Sequence, residues 1–441
     1  MSIVILIPAL LCLIALYQGN TQTTFLNVYL PTLLLLPLYY YWKVPMLPPI
    51  DFGEAVLLPL GFAMILQDLR RWRFTLCDLW VLLFVITSFI TDYATDHTTA
   101  AIFDLFSNIA SVIIPYMAGK LLIEQFGNRV ATLRRFVFLL AVACVISVYE
   151  YRMEQNPFMM FWSHFFPDQD PGWHTQIRWG FGRVAGPYGQ SELAGMVFFT
   201  GLVFALWLAH GNHWEEKFRG MAWLPFRKGN ILAAIIGVVL LMAQARGPWL
   251  GALLALAISL TGRAARIGRT AIIVAVIGSA VGYVSFMAFT RYLAAPTTSI
   301  EQQNAQYRGQ LLPNYLPIAI QGGAFGWGQQ VPHVKGQISI DNEYLFVDLT
   351  QGYVGLAAFV LMALDAILLL VVACARAAYP EDRYFSLSLL GVIAGILLTA
   401  ATVFLGNQAY QMFFLLIGWS QSVQPVLKQK EAAFLLEKVY T

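Results

Sequence analysis

The stretch SIDNEYLFVDLTQGYVG, Ser339–Gly355, sets two acids, Asp341 and Glu343, at the mouth of an apolar run and a third, Asp348, inside it. The run continues through Val354–Ala375. If it is a membrane span, carboxylates at that depth are costly and need a reason. Composition answers the first half of the question. Hydrophobic residues make up 59% of the 441-residue chain and charged residues 12%, against about 25% charged in an ordinary soluble domain.

The apolar residues also come in blocks. Glu192–Ala209, Ile231–Ala243, Leu250–Leu260, Ala271–Phe289, Val354–Ala375 and Leu387–Leu405 are clear runs. A spanning helix needs about 20 mostly apolar residues. The chain is therefore expected to be all-α and polytopic, a single integral-membrane domain over 1–441 with about 12 transmembrane helices. The first apolar run has no basic leader and no small-residue cleavage site, so it reads as a span rather than a signal peptide. Three runs precede Arg70, at about Ile3–Leu16, Phe25–Tyr41 and Ala55–Leu66. Three full spans put the N-terminus outside; one re-entrant or interfacial run puts it inside and gives the total of 12. Cys12, Cys77, Cys144 and Cys374 lie in or beside apolar runs, with the spacing of neither a metal site nor a disulfide frame.

Basic residues recur at alternate junctions. They include Arg70, Arg71 and Arg73, then Lys120 to Arg135, Lys217 to Lys228, Arg263 to Arg269, Arg376 and Arg383, and Lys428 and Lys430. The positive-inside rule puts these on the cytoplasmic side. The opposite side then receives two long segments, about 152–190 and 291–342. Loops of that length are often functional. Both are rich in aromatic residues and proline, which suits pieces lying along the outer leaflet.

Three arginines stand at that outer side: Arg183 in GFGRVAGPYGQSELAG, Arg246 in LLMAQARGPWLGALL and Arg308 in NAQYRGQLLPNYLPIAI. Each either pairs with a loop carboxylate, snorkels to headgroups, or presents its planar fork of donors to a phosphate. The glycines around them permit tight turns and close backbone approach. No histidine pair has zinc spacing and no G-x-S-x-G elbow is present. Metal-dependent and serine-nucleophile chemistry are therefore not expected, and no cofactor or nucleic-acid partner is implied. Asp341 and Asn342 are candidate N-caps for the helix that follows. Glu343 falls in its first turn, where negative charge suits the helix dipole, and Asp348 lies where an arginine could pair with it.

The sequence DNEYLFVDLTQGYVG resembles the signature of the O-antigen ligase and polymerase superfamily: His, then Asn, Ser or Gln, nine residues, Gly, two residues, and Gly, Thr or Tyr. Asn342 fills the second position, Glu343–Gln351 are the nine, and Gly352 and Gly355 follow. The first position holds Asp341 in place of His. RVAGPYGQSELAG resembles the family's arginine-containing segment with Arg183 matching, though Gln190 and Ser191 stand about where Pro-Asn is usual. QARGPWLG matches at Arg246, and YRGQLLPNYLPIAIQGGAFGWG at Arg308. The resemblance runs from about Arg183 onward.

It implies a periplasm-facing glycosyltransferase of the bacterial inner membrane. Such an enzyme takes a glycan from undecaprenyl diphosphate and passes it to a glycan or lipid-linked acceptor among membrane lipids, without a metal. Arg183 and Arg308, then Arg246, are the expected diphosphate ligands. Asp341 takes the place of the family's catalytic histidine, with His333 as its rival, and Asn342, Glu343 and Tyr344 are expected to support them. A polymerase of O-antigen or exopolysaccharide repeats is the alternative. A transporter of lipid-linked glycans would rather place its charges near the membrane midplane.

Overall fold

A computed structural model describes residues 2–440 except 97, 171, 215–216, 218–225, 265–266, 271, 274–275, 277, 280–281, 283–286, 288–299 and 338. The fold is helical: 76% of it is helix and 2% strand. Its helices are α1 (Leu6–Gln18), α2 (Thr21–Thr24), α3 (Leu30–Leu35), α4 (Phe52–Gln67), α5 (Leu76–Asp96), α6 (Thr98–Asn108), α7 (Ile114–Leu122) and α8 (Arg129–Met153). They continue as α9 (Pro157–Trp162), α10 (Ser191–His210), α11 (Lys228–Met242), α12 (Arg246–Thr261), α13 (Ile300–Gly322), α14 (Glu343–Arg376), α15 (Pro380–Ala400) and α16 (Asn407–Tyr440). Two short antiparallel hairpins complete the fold. β1 (Tyr41–Trp42) pairs with β2 (Ile50–Asp51), and β3 (Ile177–Arg178) pairs with β4 (Phe181–Gly182).

Six helical stretches among the described residues are long and apolar enough to cross a membrane: Leu76–Thr95, Thr98–Phe126, Arg129–Met153, Ser191–His210, Glu343–Arg376 and Pro380–Ala400. Four apolar helices are shorter: Ser2–Gln18, Phe52–Gln67, Lys228–Met242 and Arg246–Thr261. The apolar run expected over Ala271–Phe289 lies mostly outside the described residues. This is a multi-pass membrane architecture, with six full-length helices against an expected dozen.

Small residues let the helices touch backbone to backbone, the usual device where lipid removes the hydrophobic drive between helices. α7 and α16 cross at Gly119 and Gly418, where a Cβ would collide with the carbonyls of Leu415 and Tyr116. α12 and α15 cross at Gly251, Gly391 and Gly395 in the same way. The core between them is aromatic and aliphatic, with Trp207, Trp419, Phe198 and Phe413 buried.

One helix is broken. α14 runs on from Glu343 to Arg376, but Gly352 has φ +66° and ψ −174°, far from helical values. The break leaves four backbone groups without helical partners, and the segment GGAFGWG, Gly322–Gly328, supplies all four. Trp327 N–H donates to the Leu349 carbonyl at 2.8 Å and Gly328 N–H to that of Thr350 at 2.9 Å. Tyr353 and Val354 donate in return to the carbonyls of Gly323 and Ala324, each at 3.2 Å. A Cβ at Gly352 would collide with the Ala324 backbone, and one at Gly326 would lie 2.5 Å from the Gly352 nitrogen. Both positions have positive φ, so only glycine passes without strain. The strap is also fastened to α5, where Thr91 Oγ1 donates to the Phe325 carbonyl at 2.5 Å. Close backbone approach is thus what these glycines provide.

Candidate active site

The two long segments meet at one end of the bundle, where α10 and α14 begin and α15 ends. Arg183 comes from the first segment. Its loop is shaped by Glu150 near the end of α8, a fully buried carboxylate with every direction filled. It accepts from the backbone N–H groups of Ala185 and Gly186, both at 2.9 Å, from Thr175 Oγ1 at 2.8 Å and from Asn156 Nδ2 at 3.1 Å. The β3–β4 hairpin turns through Trp179 and Gly180, both at positive φ. Arg178 on it donates to the Gln244 carbonyl at 2.5 Å. This scaffold buries Arg183 to 3% exposure.

The Arg183 guanidinium donates to Glu192 Oε1 at 2.6 Å and also to Gln176 Oε1. Its Nε is buried without a hydrogen-bond partner. Arg308, on α13, lies 3.9 Å from the same Glu192 oxygen and donates to Asp341 Oδ2 at 3.4 Å. Asp341 Oδ1 accepts from Ser339 Oγ at 2.7 Å. Tyr307, beside Arg308, both accepts from Ser339 N–H and donates to the Ser339 carbonyl, each at 2.7 Å. The result is a chain of alternating charge, Arg183–Glu192–Arg308–Asp341, drawn from three regions far apart in sequence.

The cap of α14 is Asn342, whose side chain accepts from Leu345 N–H at 3.0 Å. Of the two candidate caps, then, Asp341 is the one left to face Arg308. Asn342 also donates to the Ala401 carbonyl at 3.1 Å. Glu343 is buried and accepts from Leu405 N–H at 2.7 Å. Tyr344 donates its hydroxyl to the Leu397 carbonyl at 2.9 Å. These three neighbours fasten the start of α14 to the end of α15 and the link beyond it.

The other expected residues sit differently. Arg246 is exposed on the first turn of α12. Pro248 packs beside Gly195, one turn below Glu192, so Arg246 opens at the same end of the bundle. His333 is exposed in the coil between the strap and Ser339. Asp348 forms no ion pair among the described residues. Glu192 is the residue that the sequence reading missed: it was counted as the first residue of an apolar run. Its signal was an acid at the mouth of a span, nine residues after an arginine.

A cavity of about 780 Å³ lies at the opposite end of the bundle, lined by Arg129, His210, Arg263, Asp382 and Tyr384 among others. It is far along the helices from the Arg183–Asp341 chain and is not a candidate for the same chemistry.

The architecture defines a many-helix membrane protein with arginines and a carboxylate gathered where its helices begin. Residues 231–360 match the family described as O-antigen ligase, which supports a place for this part of the chain in the O-antigen ligase superfamily, whose members are glycosyltransferase-like enzymes of O-antigen biosynthesis. The match takes in Arg246, Arg308, Asp341 and the Gly352 break; Arg183 and Glu192 lie before it. No curated protein matches the chain.

Proposed function

We propose that this protein is a metal-independent glycosyltransferase of the O-antigen ligase type, working at the periplasmic face of the bacterial inner membrane. Its donor is a glycan on undecaprenyl diphosphate. The acceptor hydroxyl attacks the anomeric carbon, a new C–O bond forms there, and the bond to the diphosphate oxygen breaks. Asp341 takes the hydroxyl proton. Undecaprenyl diphosphate leaves with the electron pair, and Arg183 and Arg308 offset the charge that builds on its oxygens. Donors aimed at a developing oxyanion are each worth ~10²–10³ in rate. Arg246 is the further candidate ligand of the diphosphate, and His333 is the rival to Asp341 as proton acceptor. Asn342, Glu343 and Tyr344 fix the start of α14.

What supports this reading is the meeting of Arg183 and Arg308 at Glu192 and of Arg308 with Asp341, inside a chain whose residues 231–360 match the family. Asp341 in the position of the family's histidine favours a second reading, a polymerase whose acceptor is another lipid-linked repeat. Both share the donor and the reaction.

The test is a transfer assay with purified full-length protein, an undecaprenyl-diphosphate glycan and, separately, lipid A–core, a lipid-linked repeat and a peptide. It is run with and without chelator. Transfer that survives chelation and is lost in Asp341→Asn supports the proposal, and the acceptor used decides between ligase and polymerase. No transfer to any acceptor, with the intact lipid-linked glycan crossing the vesicle membrane instead, overturns it.

A further inference from the structure

Glu192 opens α10 directly beneath the loop that carries Arg183. Its Oε1 accepts from Arg183 at 2.6 Å and faces Arg308 at 3.9 Å, and its Oε2 accepts from Ser191 Oγ at 3.1 Å. One carboxylate oxygen thus stands between two guanidinium groups. Without it, two like charges brought this close would repel. With it, and with Asp341 on the far side of Arg308, the four side chains carry two positive and two negative charges. Their formal charges sum to zero.

A diphosphate brings at least two negative charges into that site and needs cations that are not already spent. The two arginines are not equally committed. Arg183 is 4% exposed at its side chain and is held from two sides by Glu192 and Gln176. Arg308 is 42% exposed, and its contacts to Glu192 and Asp341 are long, 3.9 and 3.4 Å. Arg308 is the one that can turn to a ligand. When it does, Asp341 loses its cation but keeps the Ser339 hydroxyl.

We propose that Glu192 is a positioning residue of the donor site: it holds Arg183 and Arg308 side by side, and an arriving diphosphate takes Arg308 away from Asp341, so that the acid is freed only once the donor is seated. The inference rests on the glycosyl-transfer reading and deepens it by giving an order to the events. In the resting site the Asp341 carboxylate is covered by Arg308 at 3.4 Å. In the loaded site the positive charge has moved to the leaving group, where charge develops, and the proton acceptor is uncovered beside it.

The inference predicts that removing a carboxylate tightens donor binding. Binding of farnesyl diphosphate to the full chain in detergent micelles, measured by calorimetry, is the readout. Relative to the wild type, Asp341→Asn and Glu192→Gln are each expected to bind it about two- to fivefold more tightly, the scale of a partly exposed ion pair that no longer competes. Glu192→Asp, which keeps the charge, is expected to restore wild-type affinity. In the transfer assay Glu192→Gln should lower kcat without raising KM for the donor, a split that a purely structural glutamate would not give. Asp341 is less buried, so Asp341→Asn carries the test if Glu192→Gln fails to fold. Unchanged or weaker binding in both variants, beside a wild type that binds and transfers, overturns the inference and leaves the glycosyltransferase reading standing. A wild type that neither binds the prenyl diphosphate nor transfers glycan sinks that reading itself.

Discussion

Among the described residues, two clusters of paired charge stand at opposite ends of the bundle, and they are built to different tolerances. At the end carrying the basic junctions, Arg129 on the first turn of α8 donates to both oxygens of Glu124, at 2.7 and 2.8 Å, and to Asp382 on α15 at 2.5 Å. Trp419 donates its indole N–H to the same Glu124 at 2.9 Å, and the guanidinium lies 4.1 Å from the Phe385 ring centre. All three ion-pairing side chains are under 10% exposed. Lys120 and Asp78 nearby are as tight, at 2.5 Å, with Tyr116 as a third partner. At the other end the Arg308–Asp341 contact is 3.4 Å long and its side chains are 42% and 23% exposed. The first cluster joins helices, its members buried and closely held. In the second, Arg308 is held only loosely, as a contact must be if it is to break and re-form in every reaction cycle.

Removing the acid at the loose end should cost activity and little else. Asp341→Asn is expected to lower turnover by ~10²–10⁴, the range for a lost general base, with an unfolding midpoint in detergent close to wild type. Wild-type transfer by this variant would mean that another group, such as His333, accepts the proton. At the tight end the cost moves to stability. Arg129→Met leaves Glu124 and Asp382 buried without their cation and should destabilise the fold by about 3–5 kcal/mol, read as loss of folded protein on denaturant titration. The fraction that folds should transfer glycan at the normal rate; a selective loss of transfer there would erase the distinction between the two ends.

The strap gives an intermediate case. Gly352→Ala forces an alanine into extended backbone space at positive φ that is essentially reserved for glycine, at about 1–3 kcal/mol, and sets its Cβ against the Ala324 backbone. Both stability and transfer should fall, because the strap and the start of α14 move together. Smallest is Asn342→Ala, which removes a helix cap worth about 1 kcal/mol and should lower the midpoint slightly while Asp341 keeps its place. A larger loss of transfer than of stability in that variant would mean that Asn342 contacts substrate directly.

Much of the site could be read from the sequence because charge inside apolar sequence is expensive and therefore conspicuous. Arg183, Arg308 and Asp341 stood out on that ground, and the structure brings them together. Glu192 did not stand out, because at the edge of a hydrophobic run a single acid reads as the end of a span; only its contact with two arginines reveals it. Asp341 and Asn342 were equal candidates for the cap, since adjacent short polar residues satisfy the same rule, and the choice depends on Arg308, thirty-three residues earlier. The break in α14 was hidden for a related reason: apolar residues on both sides of Gly352 give one continuous pattern. Hydropathy registers composition, and the backbone hydrogen bonds that the strap supplies leave no trace in it. The span count suffers likewise, since runs of 15–17 residues and full-length helices look alike in composition.

The break at Gly352 has one more effect, on direction. Between Asn342 and Gly352 lie nine residues wound as helix, with the strap fixing one end and Asp341 following from the other. Each helical residue turns the chain by about 100°. Adding or deleting a single residue in this interval would swing Asp341 by over a quarter circle about the helix axis, out of line with Arg308, although every side chain remained present. The spacing in the signature therefore works as an angular gauge, and the glycine is its zero mark.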